Sequence, residues 1–165
     1  MAKKQVTYST AWTILAVARI LLGFVFLWAF LDKTFGLGFA TTPAKAWVSG
    51  GSPTTGFLKS LDGLFAGFFN GLAGNVAVDW LFMLGLLGVG VALIVGAGLR
   101  IAAVSGAIIL VMMWLAELPL TTNPFVDDHI VYAVLLFVIA AAPRCLSLSK
   151  WWVNLNYVKK HPWLW

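Results

Sequence analysis

Charge is scarce in this sequence. Asp, Glu, Lys and Arg make up 10% of its 165 residues, six acids and eleven bases, against 61% hydrophobic residues. A soluble domain ordinarily carries about 25% charged residues, and a polar shell cannot be built over so large an apolar content from so few. The composition therefore excludes a soluble enzyme and sends the apolar surplus to lipid. Cysteine is scarcer still: Cys145 stands alone, which excludes an internal disulfide and any CxxC zinc or redox motif. Histidine is limited to His129 and His161. The topology read below puts these two on opposite sides of a membrane, so haem or copper ligation by a histidine pair within one chain is excluded. One His with Glu117 and Asp128 is a weak divalent-ion signal, and no metal site is assigned. The formal charge of +5 would suggest nucleic acid in a soluble protein; here it is a matter of where the bases fall, and no nucleic-acid partner is expected.

What the sequence does have is long apolar runs. A bilayer crossing takes about twenty mostly apolar residues, and four segments approach that length: 11–31, interrupted only by Arg19; 80–99, without charge; 101–118, with Glu117 near its end and Pro119 as its stop; and 124–142. For the last, Asn123 and Pro124 read as N-cap and first-turn proline, and Pro143 ends it. Nine Trp and 15% aromatics suit the water–hydrocarbon boundary. The first run follows Lys3 and Lys4 but is longer than a signal-peptide core and lacks small residues after it, so it should stay as a helix. The fold expected is all-α and integral to the membrane: a single four-helix transmembrane bundle over 1–165, with an outer amphipathic helix and a cytoplasmic interfacial C-terminal helix.

Charge asymmetry orients the bundle. With both termini cytoplasmic, that side holds Lys3, Lys4, Arg100, Arg144, Lys150, Lys159 and Lys160, and the other holds only Lys33, Lys45 and Lys59. Asp32, Asp62, Asp79, Glu117, Asp127 and Asp128 then gather at the outer side. A multi-pass protein of the cell membrane is expected.

Two segments lie outside the spans. In 53–72 apolar residues recur at helical spacing on one face, from Phe57 and Leu58 to Phe69 and Leu72. This segment either rests on the membrane or closes over the bundle mouth, and Gly63, Gly67 and Gly71 would let another helix come close. The tail, 150–165, carries Trp151, Trp152, Leu155 and Val158 on one face with Lys159 and Lys160 nearby, and Trp163 and Trp165 extend it. It reads as an interfacial anchor with affinity for anionic lipid. Between spans, Gly88, Ala92 and Gly96 should pack against Ala102, Gly106, Ala103 and Ala107 as an antiparallel pair. The GVG and GAG fragments nearby lie inside an apolar helix and are no phosphate loop.

Ionisable groups at membrane depth are candidates for function. Arg19 either snorkels to the headgroups or faces the bundle and holds carbonyls, a carboxylate or a quinone oxygen. At the outer mouth Glu117 ends the third span, with Met113 and Trp114 a turn earlier. Asp128, His129 and Tyr132 open the fourth, and spacings of three and four place Tyr132 beneath both Asp128 and His129. A carboxylate, an imidazole and a phenol at one depth suit a proton relay. Helix-dipole stabilisation of the acids and an ordinary interfacial Tyr explain the same residues without chemistry.

The run Arg19-Ile-Leu-Leu-Gly-Phe-Val-Phe-Leu-Trp-Ala-Phe-Leu-Asp-Lys33 resembles the opening helix of DoxX-family membrane proteins. The stretches Gly36-Leu-Gly-Phe-Ala-Thr, Trp47-Val-Ser-Gly-Gly-Ser-Pro-Thr-Thr-Gly-Phe57 and Asn123-Pro-Phe-Val-Asp-Asp-His-Ile-Val-Tyr132 are similar to its actinobacterial branch. The resemblance, from Arg19 to Pro143, implies a four-helix bundle. Through the related DoxD subunit of thiosulfate:quinone oxidoreductase it also implies a link to quinone and sulfur redox chemistry. The leading expectation is a redox-associated membrane subunit of a respiratory chain. A quinone, menaquinone or ubiquinone, would sit with its head near Met113, Trp114, Glu117, His129 and Tyr132, Asp128 and Glu117 would handle protons, and Arg19 is a further cofactor-binding candidate. The alternative is a non-enzymatic scaffold or assembly subunit that binds other membrane proteins or a second copy of itself; a small-solute carrier ranks third, since four helices leave little room for two access states.

Overall fold

The computed structural model describes residues 9–121 and 123–164; Lys3, Lys4 and Trp165 lie outside the described residues. The chain is all-helical, and no strand occurs among the described residues. The described residues form eight α-helices in order: α1 (Thr10–Phe35), α2 (Thr55–Lys59), α3 (Ala66–Gly71), α4 (Val76–Val95), α5 (Leu99–Ala116), α6 (Asp128–Ala141), α7 (Ser149–Asn154) and α8 (Asn156–Lys160). Short 3-10 turns lie at Pro43–Lys45, Trp47–Ser49 and Pro162–Leu164.

Among the described residues α1, α4 and α5 are long and apolar enough to cross a membrane, and a chain with three such helices reads as a multi-pass membrane protein. Their outward faces agree with that reading. Ile14, Leu21 and Phe24 on α1, Leu81 and Leu84 on α4, and Val104 and Ile108 on α5 are all more than half exposed, an inside-out pattern that water would penalise. The fourth predicted span differs. Its helix is α6, with 14 residues, or about 21 Å at 1.5 Å per residue, short of the roughly 30 Å hydrocarbon thickness. The shortening begins at Asn123, whose Oδ1 accepts from the amides of Phe125 and Val126. That Asx-type turn competes with helix, so Asn123 and Pro124 do not cap α6. Asp127 does, with its carboxylate accepting from Ile130 N at 3.1 Å.

Packing follows small residues, but on a different face of α4 from the one expected. The most extensive helix contacts are α1 with α4 and α5 with α6. A Cβ on Gly90 would meet Leu27 N at 2.7 Å, and one on Gly23 would meet Leu93 Cβ at 2.9 Å, so these two glycines let α1 and α4 touch backbone to side chain. Gly88 has nothing within 4 Å of such a Cβ, and Gly96, with φ +72°, terminates α4. On α5 the expected residues do pack inward: Gly106 lies under Leu136 and Val89, and Ala102, Ala103 and Ala107 are buried. Gly90→Ala should therefore destabilise the bundle by about 1–3 kcal/mol through overpacking, and Gly88→Ala should be neutral or mildly stabilising. Thermal unfolding of the two variants in one detergent checks this.

The amphipathic stretch forms two short helices, not one. Gly63 breaks it: a Cβ there would collide with the Leu118 carbonyl, which accepts from Leu64 N at 3.0 Å. Leu58 and Phe69 then pack against Ala116, so α2 and α3 sit on the ends of α4 and α5. Gly67 and Gly71 meet nothing. The tail is likewise split, at Leu155, into α7 and α8. It is docked on the chain itself: Trp152 Nε1 donates to Leu164 O at 2.8 Å and Ser149 Oγ to Gly96 O at 2.7 Å. Trp151 and Trp163 remain exposed.

Candidate functional site: a lipid-level cavity and a histidine pair

The residues nominated from the sequence fall into three separate places. Arg19 lies at the N-terminal half of α1 and faces inward, 3% exposed. Its Nη1 donates to Cys145 O at 3.2 Å and its Nη2 to Leu146 O at 2.6 Å. Of the two orientations open to it, the structure shows the one that holds carbonyls. It stands at the exit of α6, the opposite end from His129.

At the entrance of α6, His129 Nδ1 lies 2.7 Å from Asp127 Oδ2. Asp128, the acid expected beside His129 at this depth, is 3.7 Å away with a largely exposed side chain. Asp127 instead caps the helix and folds its carboxylate back over the first turn, where it meets the ring. With Asp127 ionised, the bond requires a proton on Nδ1; in the neutral imidazole Nε2 is then an acceptor, and in the charged ring it is a second donor. Glu117, exposed at the end of α5, completes a group with Asp127 and His129 whose ligand atoms lie within 4.8 Å of one another. These three could hold a divalent ion or pass a proton. Tyr132 packs partly into the main core, and Trp114 Nε1 donates to Phe125 O at 3.1 Å.

Partial burial works to raise the Asp127 carboxyl, but bonds from His129 and Ile130 N and the charge of His129 outweigh it and hold it below its ordinary 3.8. A carboxylate depressed on folding contributes stability above the unfolded-state value and loses it as pH falls through the folded one. Asp127→Ala should cost about 1 kcal/mol near neutrality, as loss of an N-cap does. The gap from wild type should close as pH drops below 3.8. Stability measured against pH for both proteins reads this.

The third place was not nominated. A cavity of about 530 Å³ opens between α4, α5 and the α2–α3 roof. Leu81, Phe82 and Gly85 form one wall, Ser105, Ile109, Met112 and Met113 the other, and Pro53, Thr54, Phe57 and Phe69 the roof, with Lys33 entering from α1. Met113 therefore faces this cavity, while Trp114 and Glu117 do not line it. The sequence signal for it was available only in part: the apolar face of 53–72, and a lysine at the end of a span. The polar groups around the cavity are mostly spent. Thr54 Oγ1 donates to Asp79, which also takes Ser52 Oγ at 2.9 Å, and Ser105 Oγ donates to Ile101 O at 2.8 Å. Asp32, next to Lys33, is 2% exposed and accepts from the amides of Phe39, Ala40 and Thr41 at 3.2, 2.9 and 2.8 Å.

Set against models of known protein families, curated proteins and solved structures, the chain matches none.

Proposed function

We propose that this chain is a membrane protein of four crossings, with both termini cytoplasmic, that holds one lipophilic molecule drawn from the bilayer. The cavity beneath α2 and α3 carries this reading: its volume is that of a small-molecule site, about 300–1,000 Å³, and such sites are mostly apolar with few polar groups. The charge bias of the loops supports the orientation. The α6 helix, short but apolar beyond its first turn, supplies the fourth crossing. Native mass spectrometry of the chain extracted in mild detergent should find one lipophile per protein, and Ser105→Phe, which projects a ring into the cavity, should lose it. A bare wild-type mass, or an adduct that survives Ser105→Phe, would sink the proposal.

A second reading, a redox-associated subunit whose lipophile is a quinone, is favoured by the Asp127–His129 pair with Glu117 beside it, a proton acceptor at the end of the bundle, and by the DoxX-like motifs. It predicts that the adduct is a menaquinone or ubiquinone and that His129→Ala slows quinol turnover in membranes. The scaffold reading rests on Gly67 and Gly71, which none of the described residues covers. It predicts that a partner protein survives gentle-detergent purification and is lost when both become leucine.

A further inference from the structure

Lys33 decides what kind of head group the cavity accepts. Among the described residues its ammonium has no hydrogen bond and no carboxylate within ion-pair distance; it stands over the Phe82 ring, with the centroid 6.0 Å away. That is at the outer limit of a cation–π contact and steadies the amine without neutralising it. The adjacent Asp32 lies beyond ion-pair distance, its oxygens turned to the amides of Phe39, Ala40 and Thr41, so its charge acts on the amine only from a distance. Thr54 and Ser105 have turned their hydroxyl protons to partners inside the chain. Among the described lining side chains the one free hydrogen-bond donor is therefore this cation.

The shape sets the rest of the ligand. Along α5 the lining runs from Ser105 to Ala116, roughly 16 Å at 1.5 Å per residue. That is about half of the ~30 Å hydrocarbon thickness, the depth of one leaflet. Lys33, near the end of α1, lies at the shallow end with Ala116 and the α2–α3 roof, where a lipid head would be. Resting on the reading of the cavity as a lipophile site, we propose that its ligand is a single-chain carboxylate of the fatty-acid type, the chain lying along α4 and α5 and the carboxylate paired with Lys33. A charged hydrogen bond at a site of low dielectric contributes about 1.5–3 kcal/mol, equivalent to tenfold or more in affinity.

The test is binding of radiolabelled palmitate and of uncharged hexadecanol to the full chain in maltoside detergent. Palmitate should bind at one per chain, about tenfold weaker to Lys33→Met and with affinity restored in Lys33→Arg; hexadecanol should bind wild type and Lys33→Met alike. Palmitate affinity unchanged in Lys33→Met, or palmitate and hexadecanol weakened equally, would overturn the carboxylate assignment and leave the cavity reading intact. Displacement of palmitate by a neutral quinone at equal concentration would also overturn it. If monodisperse wild type binds neither probe, the cavity reading itself fails, and this inference with it.

Discussion

Arg19→Met is expected to lower stability by about 2–4 kcal/mol and to expose the single cysteine. Two carbonyls, those of Cys145 and Leu146, depend on this guanidinium, and a buried acceptor left without a partner costs about 1–3 kcal/mol. Part of that is offset, because Nε of Arg19 is itself buried without a partner and its desolvation is relieved. The packing around the latch magnifies the loss. Leu146 has φ +46°, a left-handed conformation that an L-residue holds only when its surroundings enforce it. A Cβ on Gly96 would meet Arg19 Nη1 at 2.8 Å, so the α4–α5 turn is fitted to this side chain. Releasing the exit of α6 should free Cys145, which is 3% exposed. Maleimide labelling should therefore be slow in wild type and fast in Arg19→Met, with Arg19→Lys between them. Equal labelling and equal thermal stability would show that the latch contributes little.

Asp32→Ala should cost a comparable amount, about 3–5 kcal/mol, because three amides lose a charged acceptor and a hydrogen bond to a charged group is worth about 1.5–3 kcal/mol. The sum falls below three full bonds since Phe39 and Ala40 are exposed and their amides regain water, while Thr41 is buried. The consequence is local: Phe39, whose ring stands edge-on to Trp28 with centroids 5.1 Å apart, should come away, and the amides of Phe39, Ala40 and Thr41 should lose protection in hydrogen exchange. Asp32→Asn keeps one acceptor and should be milder. Unchanged protection in Asp32→Ala would rule out the carboxylate as the organiser of this loop.

The sequence showed its apolar helices plainly and its polar contacts poorly, and the reason is physical. Hydropathy is a sum over neighbours in the chain, so 11–31, 80–99 and 101–118 anticipate Thr10–Phe35, Val76–Val95 and Leu99–Ala116 to within four residues at each end. The Arg19 latch joins residues 126 and 127 positions apart, beyond any local pattern. His129 stands out in the sequence, but its bond to Asp127 does not: helical spacing says nothing about a cap whose side chain folds back. Interval-of-four counting singles out Gly88 as a contact to α5 and not Gly90, which meets α1, because it cannot say which face of α4 meets which helix. The cavity was invisible as such, since its walls come from α1, α4, α5 and the broken 53–72 segment together. Lys33 had been assigned only to the end of a span.

That cavity is where the functional reading stands or falls, and a density map of the chain prepared from native membranes in a lipid nanodisc tests it most directly. An elongated density should run along α5 from Ser105 towards Ala116 and end within hydrogen-bond distance of Lys33 Nζ. A map in which Phe57 and Ile109 close the space, with α2 and α3 seated directly on α4 and α5, would contradict it.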